Sequence, residues 1–376
     1  MFYIFWLSIL LPLYAVLGYP LLLRLISLSY RQPVYARPER LAVSVIVALH
    51  NEEDHVAAKI DSILRQSNQP DRLQIIFASD GSTDQTVQRA RACVDERIQV
   101  LDLPRAGKIA VLNEAVRHAQ NDILVFTDAD NQWLDGCLEH LLRPFSDPAV
   151  GCTAGNMQVV KAGRALGLGD RLYRVYESWL RATENKCGCM VSADGALLAL
   201  RRELYQPIPA HVNDDFFIST CALVQDKKII YVEQARVLDT GVDEIGKQYR
   251  RRIRVTVGGL NSLAARRALF NPIRYGVYAL ALFSHKLIRR LSPLFLLPLL
   301  LSNFFLVQRG IGYELFLYLQ LAGYGVALLG LVGHRRKPKL VRLAGFVLIT
   351  LAGMLVGCLE FMLGKKYGQW NPQQNR

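Results

Sequence analysis

Residues 123–133 read ILVFTDADNQW, a short β-rich run that ends in two carboxylates, Asp128 and Asp130. On a strand, side chains one residue apart share a face, so these two charges repel unless a cation, a proton or solvent lies between them. Hard divalent ions such as Mg2+ or Mn2+ take oxygen ligands and need only one or two carboxylates when waters and a phosphate supply the rest. Such an ion would neutralise charge on a phosphate leaving group. Solvated loop carboxylates are the plainer alternative.

A second acidic pair, Asp214 and Asp215, sits in VNDDFF. A carboxylate beside another is harder to ionise, and its raised pKa makes it a better proton acceptor. Alternatively, the pair only complements the N-terminal dipole of the helix DDFFISTCAL. Further on, KQYRRRIR (247–254) puts Gln248, Arg251 and Arg252 on one helical face. An arginine there can grip a diphosphate through paired hydrogen bonds, or the cluster rests on anionic lipid. In SADGALLALRR (192–202), a glycine interrupts an apolar strand, as where backbone nears a ligand or where a strand bulges.

The elements that would position these groups alternate. VSVIVAL (43–49), LQIIFAS (73–79), RIQVLDL (97–103) and DILVFTD (122–128) read as strands. Between them, Val56, Ile60, Ile63 and Leu64 mark one helix, and Ile109, Leu112 and Val116 another. This pattern predicts an α/β domain with a mostly parallel sheet, whose ligands gather outside the carboxyl ends of the strands. The four strands leave through VALHNEE, ASDGSTDQT, LPRAGK and TDADN, so Glu52, Asp80, Lys108, Asp128 and Asp130 converge on one crevice. DGSTDQT also reads as a turn with a capping box from Ser82 to Gln85.

In order, VSVIVALHNEED, ASDGSTDQT, GKIAVLNEA, FTDADN, VNDDFF and QYRRR resemble the membrane-bound members of glycosyltransferase family 2. That family has a GT-A (Rossmann-like) fold and includes polysaccharide synthases of the cellulose, chitin and hyaluronan type and ceramide glucosyltransferases. The resemblance spans about residues 40–260. It implies a metal-dependent inverting enzyme that moves a sugar from a nucleotide sugar, UDP-linked by expectation, to a polysaccharide or glycolipid acceptor. Glu52 and Asp80 would hold the base and ribose, Asp80 through a uracil N–H. Lys108 would neutralise the diphosphate or support Asp80. Asp130 would ligate Mg2+ or Mn2+, with Asp128 on the metal or the ribose. Asp215 would be the base and Asp214 its support. Gln248 and Arg251 match the family's QxxRW, but Arg252 stands where tryptophan, an aromatic platform for the acceptor, is expected. That departure puts processive polymer growth in doubt and gives weight to the alternative, a variant specific for a polyprenyl phosphate or ceramide-type lipid. A non-catalytic nucleotide-sugar-binding scaffold is the remaining alternative. Haloacid-dehalogenase-like phosphatases also carry DxD after a strand, but with Thr or Val two places on, where this chain has Gln132.

The chain has 376 residues, 51% of them hydrophobic. Phe2–Leu23 is uncharged and long enough to cross a bilayer. Without the basic start and small-residue cleavage site of a signal peptide, it reads as a retained anchor. Leu291–Gln308, Leu315–Gly333 and Leu343–Leu359 read as three further spans. The stretch 275–291, with His285, Lys286, Arg289 and Arg290, reads as an in-plane interfacial helix. The expected domains are therefore an anchor (1–30), a GT-A domain (38–260), interfacial helices (261–290), C-terminal spans (291–364) and a tail (365–376). Arg24, Arg31, Arg37 and Arg40 and the basic loop at 334–339 put the catalytic domain in the cytoplasm, at the plasma (inner) membrane. Lys365 and Lys366 then fall on the outer side, against the rule. The net charge of +13 lies largely beside apolar segments; membrane lipid is the expected partner, and no nucleic-acid motif is present. The seven scattered cysteines suit a reduced, structural role.

Overall fold

Side-chain alternation explains the sheet. Val43, Val45 and Val47 pack on one face with the helix Val56–Leu64, while Ile46 and Ala48 pack on the other with Lys108–His118 and Asp214–Leu223. Because both faces are covered, these strands read as unbroken apolar runs. The computed structural model describes residues 1–31, 33–36, 41–161, 167–240, 245–332 and 337–367. Arg37, Arg40, residues 334–336 and the tail from 368, used above for boundaries and orientation, lie outside the described residues.

The strands are β1 (Ala42–Leu49), β2 (Arg72–Asp80), β3 (Ile98–Leu103), β4 (Ile123–Asp128), β5 (Gln132–Trp133), β6 (Val150–Lys161), β7 (Leu197–Arg201) and β8 (Lys228–Thr240). They form one mixed sheet in the order β3-β2-β1-β4-β7-β6-β8-β5. β1 runs parallel to β2 and β4, β2 to β3, and β6 to β8. β7 is antiparallel to β4 and β6, and β5 to β8. The crossover order reverses between β1 and β4, and at such a switch point the connections part and leave a crevice. β7 begins at that same edge, just after Asp194 and Gly195, and β8 ends there at Asp239 and Thr240.

The DGSTDQT turn forms no capping box. Asp84 Oδ1 accepts from Thr86 N–H at 3.0 Å, and Ser82 pairs with Ser79, their Oγ atoms 2.9 Å apart. The turn is instead pinned to the β1 exit, where Asn51 Oδ1 accepts from Thr83 N–H at 2.8 Å.

Among the described residues, four helices are long and apolar enough to cross a membrane: Phe2–Ser27, Val277–Arg309, Ile311–Leu331 and Lys339–Met362. The 275–291 stretch is therefore no separate helix; most of it is the first half of a 33-residue helical run. Its basic groups turn inward because acids await them on the helix Gly167–Lys186. His285 Nδ1 lies 2.6 Å from Glu184 Oε1, and Arg289 Nη2 lies 2.5 Å from Glu177 Oε1. Tyr19 Oη donates to the same Glu184 oxygen at 2.9 Å, tying the first apolar helix to this junction.

The last apolar helix lies on Ile245–Ala265, the helix that carries the basic cluster. A Cβ on Gly353 would come within 2.8 Å of Arg252 Cβ, and one on Gly357 within 2.7 Å of Thr256 Cβ. Two glycines one turn apart thus let the backbones meet closely. All seven cysteines are free.

Candidate active site

A cavity of about 660 Å3 opens at the carboxyl edge of the sheet. Its wall brings together Glu52, Lys108, Asp128, Asp130, Asp214 and Asp215, from four separate stretches of chain; Arg251 joins from a fifth. Glu52 leaves β1 and is only 2% exposed.

The positive charge beside Asp128 is an ammonium group. Lys108 Nζ lies 2.9 Å from Asp128 Oδ1 and 2.9 Å from Asp214 Oδ2. Burial alone would lower the Lys108 pKa, but the two acids outweigh it and raise it. Burial would likewise raise Asp214; Lys108 and backbone N–H groups at the helix start hold it below the usual range. Asp128 is raised, by burial first and then by Asp130 and Asp214 against the pull of Lys108.

Asp215 is differently placed. It follows Asn213 and Asp214 at the start of Asp214–Leu223, a position fixed by close packing: a Cβ on Gly258 would strike Asn213 Oδ1 at 2.2 Å. Asn213 N–H also donates to Ser262 Oγ at 2.8 Å. Gly195 sits on the other wall, a notional Cβ there lying 3.6 Å from Asp215 Cβ. The glycine noted in SADGALLALRR thus faces Asp215 at ordinary packing distance. Burial pushes the Asp215 carboxyl up to about 6, helped by Asp214 and Asp194 and opposed by Lys286 and the Phe216 N–H. It is a carboxylate poised to take a proton near neutral pH.

Three expected site residues do not line this cavity. Asp80 is fully buried: Oδ1 accepts from the N–H groups of Ala106 at 2.7 Å and Gly107 at 2.8 Å, and Oδ2 from Arg105 at 2.9 Å. Its carboxylate shapes the loop that delivers Lys108, and Lys108 itself reaches Asp128 and Asp214. Gln248 is 1% exposed and contributes to no described cavity wall. Arg252 turns away, its guanidinium 4.8 Å from the Tyr173 ring centroid, and lines a second, adjoining cavity.

With this geometry, the sequence comparisons fall into line. The model of Glycosyl transferase family 2 matches residues 44–204. This chain carries a glycosyltransferase family 2 domain. Hyaluronan synthase of Streptococcus pyogenes is 23% identical over 243 residues, 58% of this chain and 57% of that protein. Glycosyltransferase GlyA of Streptococcus pneumoniae is 22% identical over 209 residues, 51% of this chain and 30% of GlyA. The UDP-Glc:alpha-D-GlcNAc-diphosphoundecaprenol beta-1,3-glucosyltransferase WfgD of Escherichia coli is 25% identical over 126 residues, 33% of this chain and 49% of WfgD. The chain thus spans from under a third to about half of the first curated relatives. Among solved structures, mannosyltransferase PcManGT from Pyrobaculum calidifontis, in complex with GDP-Man and Mn2+, superposes with a TM-score of 0.73 at 23% identity, covering 96% of this chain and 100% of that one. The fold is GT-A, joined to long apolar helices.

Around the family 2 domain's acids lie residues that the motifs did not reveal. Asp239, at the end of β8, lines the cavity. Burial raises it to about 7, with Asp130 next in effect and Arg174 and Arg251 opposing. Asp194 lines the cavity too, held by Arg181 at 2.9 Å. Beneath the DAD turn, Lys59 is fully buried and donates to Asn131 Oδ1 at 2.6 Å and Thr127 Oγ1 at 2.8 Å. Burial lowers its pKa to about 7, against the pull of Asp128 and Asp130.

The wall suits a hard cation. Asp130 and Asp239 both border the cavity, and Asp130 adds to the rise that burial gives Asp239, so the two carboxylates act on each other across it. Among the described residues, no group of three or more His, Cys, Asp or Glu could hold an ion unaided. A metal here would therefore draw on waters or phosphate oxygens to complete its shell, as Mg2+ commonly does.

Proposed function

We propose that this protein is a membrane-bound inverting glycosyltransferase, drawing a nucleotide sugar, UDP-linked by preference, into the 660 Å3 cavity. The observation that carries the reading is Asp215, raised to about 6 and bordering both that cavity and a second one lined by the apolar helices. A donor enters from the sheet edge and an acceptor from the membrane side, and they meet at one base. Asp215 takes the proton of the acceptor hydroxyl as its oxygen bonds to the anomeric carbon. The bond to the nucleotide diphosphate breaks, its electron pair leaves with the phosphate, and attack from the opposite side inverts the centre.

Glu52 serves the nucleoside end, and Asp80 supports the donor site only through the Arg105–Gly107 loop. Lys108 orders Asp128 and Asp214, and Arg251 faces the diphosphate. Asp130 and Asp239 would hold Mg2+ or Mn2+, which would neutralise the departing diphosphate. The acceptor is a polysaccharide or glycolipid.

The catalytic domain faces the cytosol, with Phe2–Ser27, Val277–Arg309 and Ile311–Leu331 crossing the bilayer. Lys339–Met362 has the length and composition of a span, yet it lies flush on Ile245–Ala265 and leads to Tyr367 in the cavity wall. His211 Nδ1 is 3.4 Å from the Tyr367 carbonyl oxygen. This last helix therefore runs along the membrane face, and Lys365 and Lys366 return to the catalytic side, in keeping with the bias of basic residues.

The test is a screen of UDP- and GDP-linked sugars with the purified full-length protein in lipid, with and without Mn2+. Metal-dependent release of nucleotide diphosphate, with opposite anomeric configuration in donor and product, is expected. Donor binding without turnover under every condition would leave a scaffold instead.

A further inference from the structure

The second cavity, of about 370 Å3, shares Asp194, Asn213, Asp215 and Arg251 with the first. Seven lysine and arginine side chains border it against three carboxylates, Glu177, Asp194 and Asp215. Some of this charge is paired: Arg181 meets Asp194 and Arg289 meets Glu177. Arg252, Lys286 and Arg290 are not. Among the described residues none of the three forms an ion pair with a carboxylate; Arg252 stacks on Tyr173, and Arg290 Nη1 donates to the Lys286 carbonyl oxygen at 3.1 Å. Arg252 Nε and Arg289 Nη1 are also buried without a hydrogen-bond partner. Half-buried cations with no carboxylate in contact are costly to hold together, and a polar cluster left half-satisfied argues for a missing anion.

The opposite wall has another character. Val16 from the first apolar helix and Leu351 and Met354 from the last border the same space. A cavity with arginines on one side and membrane helices on the other fits an amphiphile with an anionic head. Guanidinium groups hold phosphate through paired, charge-assisted hydrogen bonds, and the apolar side gives a hydrocarbon chain its exit.

Resting on the glycosyl-transfer reading, we propose that this cavity takes the phosphate of a lipid-phosphate-linked sugar, setting a hydroxyl of that sugar against Asp215. The acceptor is then neither a neutral glycolipid nor a free polysaccharide end. Arg252, which stands where a tryptophan platform was expected, supplies charge in place of stacking.

The experiment compares two acceptors carrying the same sugar, one on a polyprenyl diphosphate and one on a neutral alkyl chain, using the full-length protein in phosphatidylcholine vesicles. The phosphorylated acceptor should show a KM lower by about tenfold, the scale of one charged hydrogen bond. In Lys286→Gln and Arg290→Gln the ratio of the two KM values should fall to one and Kd for the donor should stay at its wild-type value, whatever change in kcat both acceptors share from losing a charge that opposes the rise of Asp215. Should Arg290→Gln misfold because its side chain packs on Gly259, Lys286→Gln alone decides. Equal KM values for both acceptors, or an advantage that survives Lys286→Gln, would overturn the assignment while leaving glycosyl transfer intact. Inhibition by inorganic phosphate or phosphatidylglycerol at the concentration where the polyprenyl acceptor saturates would assign the cavity to bulk phosphate groups, and also overturn it. No transfer to either acceptor would instead count against the catalytic reading itself.

Discussion

Lys108 Nζ lies 2.9 Å from Asp214 Oδ2, and the same ammonium reaches Asp128 at the same distance. One cation thus joins the end of β4 to the start of the helix that bears Asp215. It keeps Asp214 ionised, and that charge in turn helps to raise Asp215. Lys108→Met should lower transfer by about a hundredfold, the scale of losing one preorganised charged group. Steady-state kinetics with saturating donor would check this; a loss under twofold would confine Lys108 to packing.

The pH profile follows from the same cluster. Asp215 must be ionised to accept a proton, so with a pKa of about 6 the rate should fall as pH drops through that value and level off above it. Asp194 is one of the charges raising Asp215, so Asp194→Asn should move the acid limb to lower pH. A limb that stays in place, in a variant that keeps its fold, would separate the two residues.

Lys59 makes a stability prediction with a definite sign. Its pKa is about 7 in the folded protein against an ordinary 10.5. Between these values the unfolded chain binds a proton that the folded one does not, so stability rises with pH across this window. Below about 7 the full burial penalty applies. The melting temperature of Lys59→Met relative to wild type should therefore be highest at or below neutral pH and decline toward alkaline pH. A constant offset would show that Lys59 titrates as an ordinary lysine.

The sequence made the sheet legible because each strand buried on both faces is a continuous apolar run, and polar residues mark where the strands leave. It made most of the acids legible for the same reason. Lys59 escaped notice although it carried a signal: in VAAKIDSIL it falls on the apolar face with Val56, Ile60 and Ile63, where a lysine must find buried partners. Asp239 was reachable by extending the strand-end rule to β8. For Asp80 the motif gives residue type and order, not which way the carboxylate turns, and three neighbouring loop donors turn it toward the Arg105–Gly107 loop. The inward turn of His285 and Arg289 could not be read locally, since their partners Glu177 and Glu184 lie about a hundred residues upstream.

Sidedness is open to chemical labelling. With Lys365 on the face of the catalytic cavity, a cysteine at that position, in a variant lacking other reactive thiols, should react with an impermeant maleimide only in inverted vesicles. Labelling in right-side-out vesicles would make Lys339–Met362 a full crossing and return the conflict with the basic-residue rule.

The central claim is that Asp215 removes the acceptor's proton. Its most direct test is single-turnover sugar transfer by wild type and Asp215→Asn, with donor Kd measured on the same preparations. The account predicts a rate loss of about a thousandfold, within the range for a missing general base, with donor Kd unchanged within twofold. An Asn variant that transfers sugar at the wild-type rate would contradict it.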